Sequence, residues 1–199
     1  MASSSGIYKL HVASRRRPYV LSGAPEPSYH TNNFNGRPLP EDWQPPTHEV
    51  HGTSYRLSDA IAWRGPHPLL SERSVDVFQS VAPGCAEYKF FTHIKGRPYY
   101  VLNVLAAEGI LDEARSEVTR AASGQIITVV RYAFKSASPA APLFKLPDRF
   151  DSDTLCTEAV PAAVVRHKLT GFSFRDPSVA ELKDLFLGKD TNCYPGVGA

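Results

Sequence analysis

The alternation of apolar and polar residues is most regular in the middle of the chain, where it predicts a helix. In "LLSERSVDVFQSVA" (residues 69–82), apolar side chains recur every three residues, which places them on one helical face. Ser71 is a suitable N-cap, and Glu72 adds an anion where the helix dipole favours one. The Pro-Gly pair that follows would end the element. We therefore predict an amphipathic helix that begins just after Ser71.

The next segment predicts a β-hairpin. In "AEYKFFTHIKGRPYYVLNVL" (residues 86–105), two runs rich in aromatic and β-branched residues flank Lys95-Gly96-Arg97. A short turn that contains glycine can join two such strands. Asn103 lies within the second run, and we interpret it as a hydrogen-bonded buried amide, not as a catalytic group.

Apolar runs elsewhere predict further strands. The strongest is "GQIITVVRYAF" (residues 124–134). Four shorter segments are also predicted to be strands: 6–12, 18–21, 142–146 and 153–157. Residues 53–63 fit either a strand or a short helix, and we expect a helical turn that begins at Ser58. Cys85 and Cys156 adjoin strand-like runs, where a cysteine usually serves as a small buried apolar residue.

Two helices are expected near the C-terminus. Residues 158–169 read as a helix with Thr157 as a possible cap and Gly171 at C′, where a left-handed backbone costs glycine little. A strand with Phe172 and Phe174 would follow at once. A last helix, residues 178–188, is predicted from the capping box that Ser178 begins.

Proline separates the chain into two regions. Residues 18–68 contain nine of the 17 prolines, and proline removes a backbone donor, so few regular elements are expected there. We predict an irregular N-terminal portion (1–68) packed on an α+β domain (69–188), followed by a flexible tail (189–199). The fold class is α+β, with a mainly antiparallel central sheet and a few flanking helices.

Composition and charge exclude several classes of partner. The 199 residues carry a net charge of only +2, which does not indicate binding to nucleic acid or to an anionic membrane. No run approaches the ~20 apolar residues of a membrane span, and the N-terminus lacks a signal-peptide pattern. Three widely spaced cysteines suggest neither a disulfide framework nor a zinc site. A cytoplasmic location is expected.

Motifs of catalysis are missing from the sequence. "THEVH" (47–51) resembles a zinc-protease motif, but His48 and His51 are three residues apart instead of four, and exposed loop histidines are the better interpretation. There is no G-x-S-x-G elbow and no glycine-rich phosphate loop. We predict no catalytic residue, no metal site and no cofactor.

Acidic residues cluster in two segments and are the candidate binding residues. They are Glu108, Asp112, Glu113, Glu117, Asp148, Asp151 and Asp153. Such carboxylates could hold Mg²⁺ or act as acid and base, could simply form solvated faces and loop caps, or could mimic the phosphates of nucleic acid toward a basic protein partner.

Four segments in order resemble a bacterial family. They are "PLLSERSVDVF" (68–78), "YYVLNVLAAEGILDEARSEV" (99–118), "PLFKLP" (142–147) and "LTGFSF" (169–174). Together they resemble the myxobacterial-type immunity proteins of polymorphic toxin systems, over roughly residues 55–176. The resemblance implies an antidote that binds and neutralises a toxin, often one delivered by type VI secretion, with HNH-like nucleases among the toxin partners.

The family resemblance supplies no catalytic residues. Its motif positions Ser71, Glu72, Arg115, Ser116, Thr170 and Gly171 fit caps, turns and core-edge contacts. Arg115 could pair with a nearby carboxylate and brace the loop before the long strand. A small metal-dependent hydrolase and an effector-loading adaptor remain alternative functions. The sequence leaves the oligomeric state open.

Overall fold

The computed structural model describes residues 6–13, 19–22, 34, 36–52, 56–64, 67–135, 139–147 and 153–179 of the 199. Within them the helices are α1 (Glu72–Val81) and α2 (Ala159–Arg166). The strands are β1 (Ile7–Val12), β2 (Tyr19–Ser22), β3 (His48–His51), β4 (Ala60–Arg64), β5 (His67–Ser71), β6 (Ala86–Ile94), β7 (Arg97–Val104), β8 (Glu117–Arg120), β9 (Ile126–Arg131), β10 (Leu143–Phe144), β11 (Leu155–Thr157) and β12 (Phe172–Arg175).

The strands form three sheets. The largest has the order β3-β2-β4-β5-β7-β6, the second β10-β11-β1-β12, and β8 pairs only with β9 among the named strands. Every pairing between named strands is antiparallel except that of β2 with β4. The α+β class with a mainly antiparallel sheet is therefore confirmed. Within the described residues, no helix is both long and apolar enough to cross a membrane.

Helix α1 begins where its sequence predicts. The Ser71 side chain accepts a hydrogen bond from the Ser74 N–H at 3.3 Å, which satisfies one of the free donors of the first turn. Glu72 lies in that turn, as the dipole argument expects. Val75 and Phe78 are buried on the face toward the core. The predicted amphipathic helix and its cap are confirmed.

Strands β6 and β7 form the predicted hairpin. Lys95 and Gly96 make a two-residue turn with φ angles of 50° and 75°, as turns of type I′ require. Asn103 is 1% exposed, and its Nδ2 donates to the Glu87 carboxylate at 2.7 Å and to the Arg37 carbonyl at 2.9 Å. The prediction of a satisfied buried amide is confirmed.

Helix α2 ends earlier than predicted. Its C-cap is His167, and Lys168 takes the left-handed conformation at φ 51°. The N–H of Lys168 bonds to the Val165 carbonyl and that of Leu169 to the Val164 carbonyl, which is a Schellman motif. The assignment of Gly171 to C′ was therefore wrong. Burial of Leu169 beside Val164 in the core favours the earlier stop.

The other end of α2 also differs from the prediction. Glu158, not Thr157, is the N-cap residue, and it makes no side-chain cap hydrogen bond. Thr157 instead belongs to β11 and pairs with Ile7 of β1. The sheet thus extends to the residue that the sequence favoured as a cap.

The helical turn expected at Ser58 is also wrong. Residues 60–64 form β4, whose Ala60 and Ile61 pair with Leu70 and Leu69 of β5. Ser58 precedes this strand, and its hydroxyl donates to the Ala60 carbonyl at 2.7 Å. The sequence of residues 53–63 fits a strand almost as well as a helical turn, and pairing with β5 selects the strand.

The proline-rich portion contains irregular backbone between strands. Residues 36–47 form no helix or strand, as their composition predicts. They nevertheless cover one face of the six-stranded sheet, where Leu39 is buried and its N–H donates to the Glu87 carboxylate. Glu87 therefore joins the irregular segment to Asn103 of β7 through one carboxylate.

Within the described part of the chain, three apolar clusters hold these layers together. The first fills the space between the two helices and the two larger sheets, and includes Leu70, Phe78 and Phe174. The second lies on the opposite face of the six-stranded sheet, around Phe34 and Phe91. The third joins the four-stranded sheet to the β8–β9 hairpin. The predicted helix 178–188 and tail 189–199 lie outside the described residues, apart from Ser178 and Val179.

Candidate functional site

The first acidic segment leads into the β8–β9 hairpin. Glu108 lies on the loop that follows β7, and its carboxylate accepts a hydrogen bond from the Ala141 N–H at 2.8 Å. Further along, Leu111 forms a bridge with Phe134 just past β9, and the Asp112 N–H donates to the Ala133 carbonyl. This segment therefore runs beside the chain that leaves β9.

Arg115 braces this loop, as its sequence position predicts. Its Nε donates to Asp112 at 2.6 Å, and its Nη2 donates to the Phe134 carbonyl at 2.8 Å. The Ser116 hydroxyl donates to the Asp112 carbonyl and accepts from the Ala133 N–H. Both motif residues thus tie the start of β8 to the end of β9.

The Arg115 contact gives Asp112 a pH-dependent role. The hydrogen bond from the guanidinium lowers the pKa of the Asp112 carboxyl below its ordinary value of 3.8. A carboxyl whose pKa is lower in the folded state than in the unfolded state stabilises the fold at pH values above its unfolded-state pKa. This stabilisation is lost as the pH falls through the folded-state pKa. We expect Asp112→Asn to lower the urea midpoint at pH 7 and to lower it less at pH 3.

A matched control is Asp76→Asn, which changes an exposed carboxylate on α1 that forms no ion pair within the described residues. Its effect on the midpoint should be small at both pH values. Equal losses for Asp112→Asn at pH 7 and pH 3 would show that the brace does not depend on the charge.

The remaining acidic residues of this segment form ion pairs across the hairpin. Glu113 lies 2.9 Å from Nη2 of Arg120, whose Nη1 also donates to the Gly124 carbonyl. Glu117 lies 3.4 Å from Nε of Arg131, its partner in the strand register. These side chains are more than 40% exposed, so each pair contributes little to stability.

Asp153 has a different environment. It lies 3.0 Å from Nζ of Lys9, a residue of β1 that is 4% exposed, and it accepts a hydrogen bond from the Tyr132 hydroxyl at 2.8 Å. The Lys9 ammonium also lies 4.8 Å from the centroid of the Tyr132 ring. This Lys9–Asp153–Tyr132 group joins the central strand, the loop before β11 and the end of β9.

The predicted acidic residues are therefore balanced by the protein's own basic groups and N–H donors. Each of the five that the structure describes has such a partner, while Asp148 and Asp151 lie outside the described residues. Toxin contact through these carboxylates stays a prediction. Any such contact would compete with, or add to, the pairs above.

A second polar group brings together three motif residues. Asp59, just before β4, accepts hydrogen bonds from the Thr170 N–H at 2.8 Å, the Thr170 hydroxyl at 3.0 Å and the Ser71 hydroxyl at 3.1 Å. Its own carbonyl accepts from the Ser71 N–H. We call Asp59, Ser71, Thr170 and Gly171 the Asp59 junction. It links the cap of α1 to the chain that enters β12.

Gly171 is the tightest point of this junction. A Cβ at Gly171 would lie 2.4 Å from the Ala60 oxygen and 2.9 Å from the Ala60 nitrogen. The Ala60 N–H donates to the Thr170 carbonyl, and the Gly171 carbonyl accepts from the N–H of Ala13, just past β1. Residues 170–171 therefore join the six-stranded sheet to the four-stranded sheet, and only glycine fits there.

Neighbouring buried groups support the junction. The Tyr99 hydroxyl donates to the Ser58 carbonyl at 2.6 Å, and burial raises the pKa of Tyr99 to about 12, so the hydroxyl remains a donor at any physiological pH. The Ser74 hydroxyl donates to the Asp59 carbonyl. Sequence reasoning missed Asp59, because its partner Thr170 is 111 residues away and no local pattern marks it.

The cysteines and the two histidines of "THEVH" are side chains that could act as nucleophiles or metal ligands. Cys156 is fully buried, and burial raises the pKa of its thiol, so the nucleophilic thiolate is disfavoured; Cys85 is also buried and free. His48 and His51 lie in β3 instead of in an exposed loop, where three-residue spacing points them to opposite faces. Among the described residues, no three His, Cys, Asp or Glu side chains are grouped to hold a metal ion.

Comparison with known proteins identifies the family. Among curated proteins no match is found. A profile of the Immunity protein family (Imm11) matches residues 12–179, which includes most of the proline-rich portion as well as the segments that suggested an immunity protein. Since this match covers well over half of the sequence, the chain belongs to the Immunity protein family (Imm11).

Proposed function

We propose that this protein binds the toxin encoded beside its gene and blocks it, which protects the producing cell and its kin. The observation that carries the proposal is the family match over residues 12–179. Specific protein–protein complexes usually bury about 1,200–2,000 Å² of accessible surface in total. The recognition surface of this chain would therefore comprise about 20 residues or more.

The use of the motif residues supports a binding role. Ser71 caps a helix, Thr170 and Gly171 connect two sheets, and Arg115 and Ser116 brace a hairpin. These side chains are engaged in holding the fold, which leaves exposed strands and loops for recognition. Free buried thiols at Cys85 and Cys156 suit a reducing compartment, and we propose action in the cytoplasm.

The HNH-like nucleases that the resemblance suggests are the first toxin class to test. A strongly acidic surface on the immunity protein would complement a basic nuclease active site that binds nucleic-acid phosphates. Here Asp112, Glu113, Glu117 and Asp153 pair with Arg115, Arg120, Arg131 and Lys9 of the same chain, respectively. We therefore propose steric occlusion of the toxin, with mixed polar and apolar contacts, over electrostatic mimicry of nucleic acid.

Co-expression tests the proposed function. The toxin domain encoded by the neighbouring gene should arrest growth of a bacterial host when expressed alone, and the full chain should restore growth. In vitro, one equivalent of the chain should abolish the toxin's activity. Growth arrest that persists with the chain present would refute the proposal, whereas a stable complex whose toxin stays active would indicate an effector-loading adaptor.

A further inference from the structure

Among the strands that the structure describes, β6 has a partner on one side only. Its nine residues, Ala86–Ile94, lie at the end of the six-stranded sheet beside β7. On the other side, no described loop or turn forms a backbone hydrogen bond with residues 86–94. Alternate N–H and C=O groups of an edge strand point outward, which makes the edge a template for another extended chain.

The strand has limited protection against such pairing. Natural sheet edges are commonly blunted by proline, by bulges or by charged side chains, lysine above all. Strand β6 contains no proline, it has one lysine, Lys89, and its one irregularity is a bulge between Phe90 and Thr92. The bulge divides the edge into two regular segments, of which residues 86–90 are long enough to pair with a guest strand of four or five residues.

An aromatic group lies beside this edge. Phe90 is 45% exposed and lies opposite Tyr100 of β7, with ring centroids 6.1 Å apart. The His93 ring lies 5.0 Å from that of Phe90. A large exposed aromatic side chain held by two neighbouring rings is pre-organised as an anchor for an apolar side chain of a partner.

The charges nearby are basic. Lys89 lies within β6, and Lys95 of the turn and Arg97 at the start of β7 are both exposed. The one acidic side chain of the strand, Glu87, is hydrogen-bonded to Leu39 and Asn103. A guest strand with an acidic side chain near the turn would therefore be favoured over a basic one.

We propose that an extended segment of the toxin adds to the outer edge of β6 as a seventh strand. An apolar or aromatic side chain of the guest rests on Phe90, and the guest continues past the bulge, where an acidic side chain faces Lys95 and Arg97. This inference rests on the proposed function and names the surface and the partner chemistry. A second copy of this chain is the competing occupant, since it could pair through the same regular segment 86–90, and measurement of the oligomeric state distinguishes it.

The test compares Phe90→Glu with Ile127→Glu. Both changes place a carboxylate at an exposed apolar position of a strand, since Ile127 of β9 is 58% exposed. Phe90→Glu should weaken binding of the neighbouring gene's toxin domain, inactivated for purification, by about tenfold or more. Ile127→Glu should bind within about twofold of the wild type, and both variants should unfold at the wild-type urea midpoint.

Hydrogen exchange distinguishes strand addition from side-chain contact alone. Amides within residues 86–94 should exchange more slowly in the complex than in the free protein. In the binding assay, a charge-reversed Glu113→Lys, Glu117→Lys variant tests whether the acidic residues contact the toxin. We expect this variant to bind the toxin domain more strongly than Phe90→Glu does. Weakened binding without slower exchange in β6 would overturn strand addition.

The outcomes separate this inference from the proposed function. Failure of the wild-type chain to bind or protect would overturn both. If the wild-type chain protects cells and Phe90→Glu binds the toxin domain as tightly as the wild type, the strand-addition inference is overturned and the proposed function stands. Light scattering should find a monomer at assay concentrations, and a dimer that Phe90→Glu dissociates would assign the edge to a second copy and overturn the toxin assignment.

Discussion

Replacing Gly171 by alanine should destabilise the protein by about 3–5 kcal/mol, a large part of the total stability of an ordinary domain. The added Cβ would lie 2.4 Å from the Ala60 oxygen, and this neighbour is backbone that cannot rotate away. Moving it would break the hydrogen bond from the Ala60 N–H to the Thr170 carbonyl. The φ angle of +95° adds strain for any residue with a Cβ.

Gly124→Ala is the matched control for this substitution. Gly124 has a similar φ of +86°, and a Cβ there would meet nothing within 4 Å. It should therefore cost only the backbone strain, about 1–2 kcal/mol. Urea unfolding of both variants gives the comparison. Equal losses at the two positions would mean that the close approach to Ala60 does not restrict residue 171.

The second large effect is expected at Asp153. Asp153→Asn should cost about 3 kcal/mol, because it removes the carboxylate from the buried Lys9 ammonium. We place the cost at the lower end of the range for buried pairs, since the Asp153 side chain is 33% exposed. Urea unfolding at pH 7 measures it.

Lys9→Met supplies the matched comparison. An unbranched apolar side chain of similar length removes the buried charge together with its need for a partner, so it should change the stability by less than about 1.5 kcal/mol. The double variant Lys9→Met, Asp153→Asn should then recover most of the loss of Asp153→Asn alone. Strictly additive losses would show that the two groups do not interact.

This expectation also affects how toxin binding at Asp153 is interpreted. Asp153 is one of the residues that the sequence suggested as a toxin contact, and its substitution could weaken protection by lowering the stability of the fold, without any loss of a toxin contact. Loss of protection in Asp153→Asn therefore indicates toxin contact only if the Lys9→Met, Asp153→Asn double variant, which should be stable, loses it as well.

Local signals allowed much of the fold to be predicted. Ser71 and the apolar spacing after it define α1, and Lys95-Gly96 defines the β6–β7 turn, since caps and tight turns act over a few residues. The same reasoning failed at β4 and at the end of α2. Sheet pairing with β5 overrode the helical signal at Ser58, and core burial of Leu169 placed the helix stop at Lys168.

The candidate surfaces were less accessible to sequence reasoning. Acidic residues are visible in a sequence, but their partners Arg131 and Lys9 are selected by strand register and sheet order. An edge strand also looks like an inner strand in its sequence, because the difference lies in whether another strand pairs beside it. Phe90 was therefore read as part of a hairpin and not as an exposed anchor.

The amino-acid sequence by itself determined the capped helix, the hairpin, the principal strands, the resemblance to immunity proteins and the importance of Thr170 and Gly171. Only the tertiary structure decided what those residues do. Asp59 and Thr170 are 111 positions apart and meet because two sheets are joined there. Periodicity and caps report interactions within a few residues. The packing of distant segments decides which position must be glycine and which described strand has a neighbour on one side only.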